Sequence, residues 1–166
     1  VEETHGVLSD HYDPRDKTVR LSSNNYHGTS VAAAAIAAHE CGHAIQDGVN
    51  YGFLRFRHSL FPVANIGSMA AFPLILLGFF IGPSFLMLGI LAFTLSLAFQ
   101  VVTLPVEFNA SARAMRQLNQ LGLVAADELG PARKVLSAAA LTYVAAALTA
   151  VLELVRLLLI FNSQEE

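Results

Sequence analysis

The stretch FPLILLGFFIGPSFLMLGILAFTLSLAF, residues 72–99, decides the fold of this chain. It belongs to two uncharged runs, residues 59–81 and 84–105, which are separated only by Gly82 and Pro83. A helix needs about 20 apolar residues to cross the hydrocarbon core of a bilayer, and each run is long enough. The two runs therefore predict a transmembrane helical hairpin.

A third apolar run, residues 135–161, is interrupted only by Glu153 and Arg156. Because charges are costly in a bilayer and these two lie three residues apart on the predicted helix, we expect them to pair with each other. Only 14% of the 166 residues are charged, against about 25% in soluble domains. The formal net charge of −3 provides no basic surface for nucleic acid. The composition therefore predicts the lipid bilayer, and not nucleic acid, as a partner.

The segment before the hairpin, residues 1–58, is polar and carries a helix. Apolar and polar residues alternate over residues 18–22, which predicts a short strand. An alanine-rich helix is predicted at residues 30–47, where either Thr29 or Ser30 is placed to cap its N-terminus. We therefore expect a small β element followed by a helix close to the membrane.

The segment after the hairpin predicts a helix over residues 106–121 that stops at Gly122, with a second break at Gly130 and Pro131. We therefore expect one integral membrane domain, mainly α-helical, with a helical hairpin, a third transmembrane helix and a short N-terminal β element. We place the four parts of this single domain, residues 1–166, at residues 1–58, 59–105, 106–134 and 135–161.

The helix at residues 30–47 contains the run HECGH, residues 39–43. Histidines four residues apart, here His39 and His43, project from one face of a helix and can bind one zinc ion. Zinc lowers the pKa of bound water, and Glu40 can take the proton as that water attacks a carbonyl carbon. The alternative is a pair of packed core histidines, for which an alanine-rich helix offers no reason. The motif therefore predicts one catalytic zinc ion with Glu40 as general base.

A catalytic zinc site usually has three protein ligands and a water, so a third ligand must come from elsewhere in the chain. Glu107 is the best candidate by type and position, because it is a carboxylate that follows the hairpin directly after Pro105. A carboxylate favoured by the helix macrodipole is an alternative explanation of Glu107. Other residues of ligand type keep the choice open: His5, His11, His27, His58, Asp127 and Glu128.

Several segments resemble the YugP-type neutral zinc metallopeptidases, a family of bacterial membrane peptidases. These segments are DHYDP (10–14), TVRLS (18–22), YHG (26–28), AHECGHAIQ (38–46), LPVEFNAS (104–111) and AAALTYVA (138–145). The resemblance implies zinc ligands His39, His43 and Glu107, with Glu40 catalytic. It also implies an additional N-terminal membrane anchor, and we expect a further segment upstream of Val1.

The arrangement is also similar, more distantly, to the gluzincin site of HtpX-like membrane proteases. Those proteases carry an acidic residue four positions after the glutamate ligand, where this chain has Ser111. The YugP-type pattern has Asp where this chain has Asn109. The resemblance therefore leaves open which side chain orients a ligand histidine, and Asn109 and Ser111 are the candidates for this role.

His27 and Tyr26 precede the zinc helix, and we expect His27 to polarise the substrate carbonyl or to stabilise the oxyanion. The alternative is that both are turn residues with satisfied hydrogen bonds. The strand at residues 19–22 predicts either a free edge for an extended peptide or an ordinary structural strand. Cys41 is the only cysteine, which excludes an internal disulfide, and we expect it to be a small buried residue without a catalytic role.

Nine of the ten Lys and Arg residues, all except Arg156, lie in the polar segments directly before and after the hairpin. A hairpin returns the chain to the side that it left, and cytoplasmic flanks are enriched in Lys and Arg. We therefore expect a multi-pass protein of the bacterial cell membrane, with the zinc site facing the cytoplasm and residues 164–166 on the opposite side.

These features predict a zinc-dependent endopeptidase that hydrolyses peptide bonds of membrane or membrane-proximal proteins. A non-catalytic membrane scaffold or partner subunit with a structural zinc site is the alternative, although such a site has no need of Glu40. A zinc hydrolase of a lipid or another non-peptide amide is a further alternative, because the activated water is the same. The short polar segments also suggest membrane partner subunits or a homo-oligomer.

Overall fold

The computed structural model describes the backbone of residues 1–165 and the side chains of residues 1–163. The predicted location of residues 164–166 across the membrane falls outside the described side chains, and Glu166 lies outside the described residues altogether. The elements are β1 (Glu2–Thr4), β2 (His11–Asp13), β3 (Thr18–Ser22), α1 (Ser23–Tyr26), α2 (Val31–Gly48), α3 (Gly52–Phe80), α4 (Pro83–Gln120) and α5 (Leu129–Glu165). This order confirms a mainly α-helical chain with a short N-terminal β element.

The chain divides into two compact units. Unit 1 comprises Val1–Arg55 and Pro105–Thr142, and unit 2 comprises Phe56–Leu104 and the chain from Tyr143 onward. Unit 1 therefore contains the sheet, α1, α2 and all the candidate catalytic and metal-binding residues except His58, which belongs to unit 2. The single domain over the whole chain stays a prediction.

Unit 1 begins with a three-stranded sheet in the order β1-β3-β2. β1 runs parallel to β3, with Glu3 opposite Leu21, and β2 runs antiparallel to β3, with Tyr12 opposite Val19. Val19 and Leu21 are both buried, as expected for alternate residues on the inner face of a sheet. β3 is the central strand, paired with β1 at residues 20–22 and with β2 at residues 18–20, which favours the ordinary structural strand over the free edge for an extended peptide.

Helix α2 begins at a side-chain cap. Oγ of Ser30 accepts a hydrogen bond from the backbone N–H of Ala33 at 3.1 Å, so Ser30 and not Thr29 is the cap. Beyond this cap, small side chains of α2 pack against α4 and α5 and allow the helices to approach closely. The buried core of unit 1 consists of Ala35, Ala38, Ala114, Leu118, Ala132 and Leu136.

Helix α4 continues from its apolar part into its polar part without interruption. The helix boundary predicted between residues 105 and 106 is therefore wrong. Pro105 lacks the N–H that would donate to the preceding turn, but the helix continues through it, as helices at membrane depth tolerate. The predicted stop is confirmed, because α4 ends at Gln120 and Gly122 has a φ of 61°, a left-handed conformation that glycine adopts easily.

Helix α5 begins at Leu129, so the predicted break at Gly130 and Pro131 is also wrong. The first N–H groups of a helix have no acceptor within the helix, so a proline in the first turn costs no hydrogen bond. Oε2 of Glu128 accepts a hydrogen bond from the N–H of Ala125 at 2.8 Å, which stabilises the turn that leads into α5.

The helices that contribute to unit 2 confirm the predicted membrane segments. Within the part of the chain that the structure describes, three helical ranges are long and apolar enough to cross a membrane: Gly52–Phe80, Pro83–Gln120 and Leu129–Ser163. The first begins before the predicted position 59, because Arg55, Arg57 and His58 are already helical. The helix is therefore longer than the uncharged run from which the sequence predicts it.

Glycines allow α3 and α4 to pack closely within unit 2. A Cβ added to Gly78 would lie 2.6 Å from the backbone nitrogen of Leu86, and one added to Gly89 would lie 2.7 Å from that of Ile75. Helices in membranes use such small residues at their contacts.

In α5, Nη1 of Arg156 lies 3.3 Å from Oε2 of Glu153, which confirms the predicted pair.

Candidate metal centre

His39 and His43 lie one turn apart on α2, with ring centroids 4.8 Å apart and ring planes at 88°. Both side chains are mostly buried against α4. Gly42 permits this approach, because a Cβ at Gly42 would lie 2.5 Å from the carbonyl oxygen of Ala110. The glycine inside the motif therefore brings the backbone of α4 against the helix that carries the histidines.

Glu107 extends from α4 toward both histidines. Its Oε2 lies 3.2 Å from Nε2 of His39 and 3.6 Å from Nε2 of His43. One ligand atom from each of the three residues lies within 4.8 Å of the others. Among the candidates for the third ligand that lie in unit 1, Glu107 is the residue that the fold places beside the histidine pair.

The donor set and its spacing fit zinc. Zinc binds histidine nitrogen and carboxylate oxygen at about 2.0–2.2 Å in a tetrahedron, which separates two ligand atoms by about 3.3–3.6 Å. The separations of 3.2 Å and 3.6 Å found here are close to that requirement. Two imidazoles and one carboxylate also leave the fourth position for water, as in catalytic zinc sites.

The electrostatics of the site differ between Glu40 and His43. Glu40 is 9% exposed, and burial raises the pKa of its carboxyl group above the usual value, because it disfavours the charged form. For His43, burial lowers the pKa, but the nearby carboxylate of Glu107 outweighs burial and raises the pKa overall. Glu40 is thus a buried carboxylate with an enhanced affinity for a proton.

Each histidine has a further partner on its Nδ1 atom. Nδ1 of His39 lies 3.2 Å from Oγ of Ser111, and Nδ1 of His43 lies 3.0 Å from Oε1 of Gln46. Ser111 is one of the two candidates for orienting a ligand histidine, and it contacts His39 directly. The other candidate, Asn109, contacts Gln46 and not a histidine, with its Oδ1 3.0 Å from Nε2 of Gln46.

Gln46 is a residue of the site that the sequence reasoning missed. Its side chain is fully buried, and its Nε2 donates to the carbonyl oxygen of Val106 at 2.8 Å as well as to Asn109. A signal for it exists in the sequence, because Gln46 follows His43 by three residues and so shares its face of the helix. A large amide on that face of an alanine-rich helix needs hydrogen-bond partners.

His27 lies after α1, outside the three-residue group. Its Nε2 lies 3.2 Å from Oε2 of Glu3, its ring contacts Tyr26 edge-on, and its side chain is 68% exposed. Its catalytic role stays a prediction. Cys41 is half-buried, and burial raises the pKa of its thiol, which disfavours the reactive thiolate.

An apolar cavity of about 310 Å³ in unit 1 shares Ser111 with the metal centre. Its other lining residues come from α4 and α5: Phe108, Ala112, Met115, Arg133, Leu136, Ser137, Ala140 and Leu141. Ser111 therefore lies between His39 and this apolar cavity, contacting the histidine and lining the cavity.

Comparison with known proteins agrees with this geometry. The family described as "Putative neutral zinc metallopeptidase" matches residues 1–162. A Bacillus subtilis protein named "Putative membrane protease YugP" is 48% identical over 168 residues, which cover 100% of this chain and 75% of the relative. No solved structure matches the chain significantly. The relative and the three apolar helices together indicate a membrane protein, and the predicted resemblance is confirmed: the chain belongs to the neutral zinc metallopeptidase family.

Proposed function

We propose that this protein is a zinc-dependent membrane endopeptidase that holds one ion through His39, His43 and Glu107 and uses Glu40 as general base. The observation that carries the proposal is the meeting of these three ligand side chains, two from α2 and one from α4, next to a buried carboxylate in the same motif. Family membership supports a protease role and zinc as the metal.

The chemistry follows from the environment of each group. A zinc ion bound there supplies a Lewis acid that lowers the pKa of water and polarises the substrate carbonyl. Glu40 accepts the proton of the attacking water and returns it to the nitrogen of the leaving amine. Its raised pKa suits both steps, because a carboxylate of higher proton affinity is a better base and its conjugate acid holds the proton until transfer.

We propose substrates in or close to the membrane. Glu107 follows the apolar part of α4 along the same helix, so the ligand is carried by an element that is long and apolar enough to span a bilayer. The distribution of Lys and Arg favours a cytoplasmic location for the site in a bacterial cell membrane. Protein or peptide chains that emerge on that side are the proposed substrates.

The competing function is a membrane scaffold that retains zinc for structure. A structural zinc site usually has four protein ligands and no open position. The three ligands and the buried Glu40 favour catalysis over this alternative.

Glu40→Gln tests the mechanism. We expect the variant to keep zinc, since Glu40 is not one of the three ligands, and to lose cleavage of an unstructured protein by about 100-fold or more, the usual worth of a general base. Glu128→Gln is the matched control, because Glu128 lies outside the cluster and should change neither readout. Undiminished cleavage by Glu40→Gln would contradict the mechanism. A wild-type protein that binds zinc yet cleaves nothing across a broad substrate panel would favour the scaffold.

A further inference from the structure

We propose that Arg113, Asn109 and Gln46 form a hydrogen-bond relay that holds His43 in the tautomer with its proton on Nδ1, so that Nε2 is free to bind metal. The inference rests on the proposed function, in which His43 is a zinc ligand. The relay runs from the partly exposed Arg113 on α4 to the buried Gln46 on α2.

The relay begins at Arg113, whose guanidinium donates hydrogen bonds and never accepts them. Its Nε lies 2.8 Å from Oδ1 of Asn109, four residues earlier on the same helix. The atom of Asn109 that faces Arg113 must therefore be the carbonyl oxygen. A flipped amide would place its NH₂ group against the guanidinium, with two donors facing each other.

Asn109 and the backbone of Val106 together decide the orientation of Gln46. Oδ1 of Asn109 lies 3.0 Å from Gln46, and the backbone oxygen of Val106 lies 2.8 Å from the same atom of Gln46. Both neighbours are acceptors, so Gln46 must present its NH₂ group to them. Because Gln46 is fully buried, its amide has no bulk water as an alternative partner for either end.

The remaining end of Gln46 fixes the proton on His43. Oε1 of Gln46 only accepts, and it lies 3.0 Å from Nδ1 of His43, so Nδ1 must carry the hydrogen. A neutral imidazole has a single N–H, which leaves the lone pair on Nε2. That atom faces the candidate metal centre and lies 3.6 Å from Oε2 of Glu107. The carboxylate of Glu107 is also an acceptor, but this separation exceeds hydrogen-bond length, so the shorter contact with Gln46 at 3.0 Å takes the proton. Each step follows from the donor or acceptor character of the group before it.

His39 differs from His43 in this respect. Its Nδ1 faces the hydroxyl of Ser111, which can donate or accept and therefore selects neither tautomer. Ser111 therefore does not impose a tautomer on His39, whereas Gln46 imposes one on His43. Arg113, Asn109 and Gln46 are positioning residues, because they act on the metal through His43.

The first test uses the tautomer of His43 as a readout that requires neither zinc nor activity. Protein labelled with ¹⁵N-histidine, freed of metal and held in lipid nanodiscs at a pH where the imidazole is neutral, should show His43 protonated on Nδ1; signals absent from His43→Gln assign it. Gln46→Met removes the acceptor at similar length. We expect this variant to show a mixture of His43 tautomers. Its zinc binding should weaken by about 10- to 100-fold, as is usual when a group that hydrogen-bonds to a metal ligand is removed.

The second test uses the partly exposed end of the relay, where a substitution is least disruptive. Arg113→Met lets the amide of Asn109 turn, so the Nδ1-protonated share of His43 should fall and zinc binding should weaken. Adding Asn109→Asp should restore both, because each carboxylate oxygen accepts and the group has no wrong orientation. Asn109→Asp alone measures what its added charge contributes to zinc binding. Ser111→Ala, on His39, should leave the tautomer of His43 unchanged.

Two outcomes would overturn the relay: an unchanged His43 tautomer in Gln46→Met, or no recovery of the tautomer when Asn109→Asp is added to Arg113→Met. If Gln46→Met does not fold, the Arg113 and Asn109 variants decide alone. A wild-type protein that binds no zinc would contradict the proposed function, while the tautomer measurements would still confirm or overturn the relay.

Discussion

Glu107 is the residue on which the candidate metal centre depends most. Its side chain is 3% exposed, and a buried carboxylate requires a partner of opposite charge or several hydrogen bonds. Here its partners are the imidazoles of His39 and His43, at 3.2 Å and 3.6 Å. A carboxylate that only stabilised the start of a helix would have no need of either contact, which favours the ligand over the helix-dipole explanation.

Glu107→Ala should therefore weaken zinc binding strongly, because it removes a ligand. The loss should exceed the roughly 10- to 100-fold expected when a group that only hydrogen-bonds to a ligand is removed. Competition with a chelator of known affinity measures this change. Asp127→Ala is the matched control, since Asp127 is an exposed carboxylate outside the cluster and should leave zinc binding unchanged. Equal zinc affinity in the Glu107 and Asp127 variants would exclude Glu107 as a ligand.

At the scale of elements, the centre requires α2 and α4 to lie closer than side chains normally allow. The backbone of α4 occupies the position that a side chain at Gly42 would need, since an added Cβ would lie 2.5 Å from the carbonyl oxygen of Ala110. Backbone cannot yield as a flexible side chain can, so any larger residue must push the helices apart. The separation of the helices in turn sets the distance between the histidines and Glu107.

Gly42→Ala should therefore reduce both zinc affinity and thermal stability. Gly48→Ala on the same helix is the control, because nothing lies within 4 Å of a Cβ at that position. We expect the control to keep its zinc affinity, with a gain of at most about 1 kcal/mol from the higher helix propensity of alanine. Chelator competition and thermal unfolding of both variants measure the difference, and identical behaviour would show that the close approach is unimportant.

A second contact between elements joins β2 to the C-terminal end of α2. The hydroxyl of Tyr12 donates to Oδ2 of Asp47 at 2.8 Å. Burial and the nearby Asp47 carboxylate raise the pKa of Tyr12 to about 12, whereas an unfolded tyrosine has a pKa of about 10. The protonated phenol is thus favoured in the folded state.

This pKa predicts an alkaline loss of stability. The contribution of Tyr12 is fully present below about pH 10, the pKa of unfolded tyrosine, and is lost as the pH rises toward the folded value. Tyr12→Phe should be less stable than wild type near neutral pH, and the difference between the two should shrink above about pH 10. Unfolding temperatures across this pH range test the prediction, with Tyr51→Phe as the control. A constant difference between Tyr12→Phe and wild type would contradict it.

At the scale of the whole molecule, the distribution of charge predicts the orientation in the membrane. The turn between α3 and α4 contains no Lys or Arg, whereas the polar segments on either side of the hairpin hold nearly all of them. Moving Lys and Arg across a bilayer during insertion is unfavourable, so these segments should remain in the cytoplasm.

Single cysteines introduced into a Cys41→Ser background test this orientation in intact bacterial cells. Ser84→Cys, exposed at the start of α4, should react with a membrane-impermeant maleimide added outside. Asn119→Cys, exposed near the end of α4, should react only after the membrane is opened. The reverse labelling pattern would place the metal centre outside the cytoplasm.

Local patterns in the sequence determined most of the helices and strands. They also determined the part of the candidate site that lies on α2, namely His39, Glu40 and His43. Runs of uncharged residues predict membrane-crossing helices because length and hydropathy are properties of contiguous segments. The spacing of His39 and His43 predicts a shared face because four residues make about one helical turn. A helix N-cap also depends on neighbouring residues alone, so the sequence offers only Thr29 and Ser30 as caps of α2. The hydrogen bond from the N–H of Ala33 to Ser30 identifies Ser30 as the cap.

Tertiary structure decided what depends on residues distant in the chain. His39 and Glu107 are separated by 68 positions, and the packing of α2 against α4 places Glu107, the preferred candidate for the third ligand, 3.2 Å from His39. The same packing gave Gln46 its partners on α4, Val106 and Asn109, and strand pairing placed β3 at the centre of the sheet. Each depends on which backbones approach each other, a property of the folded chain that residue spacing does not encode.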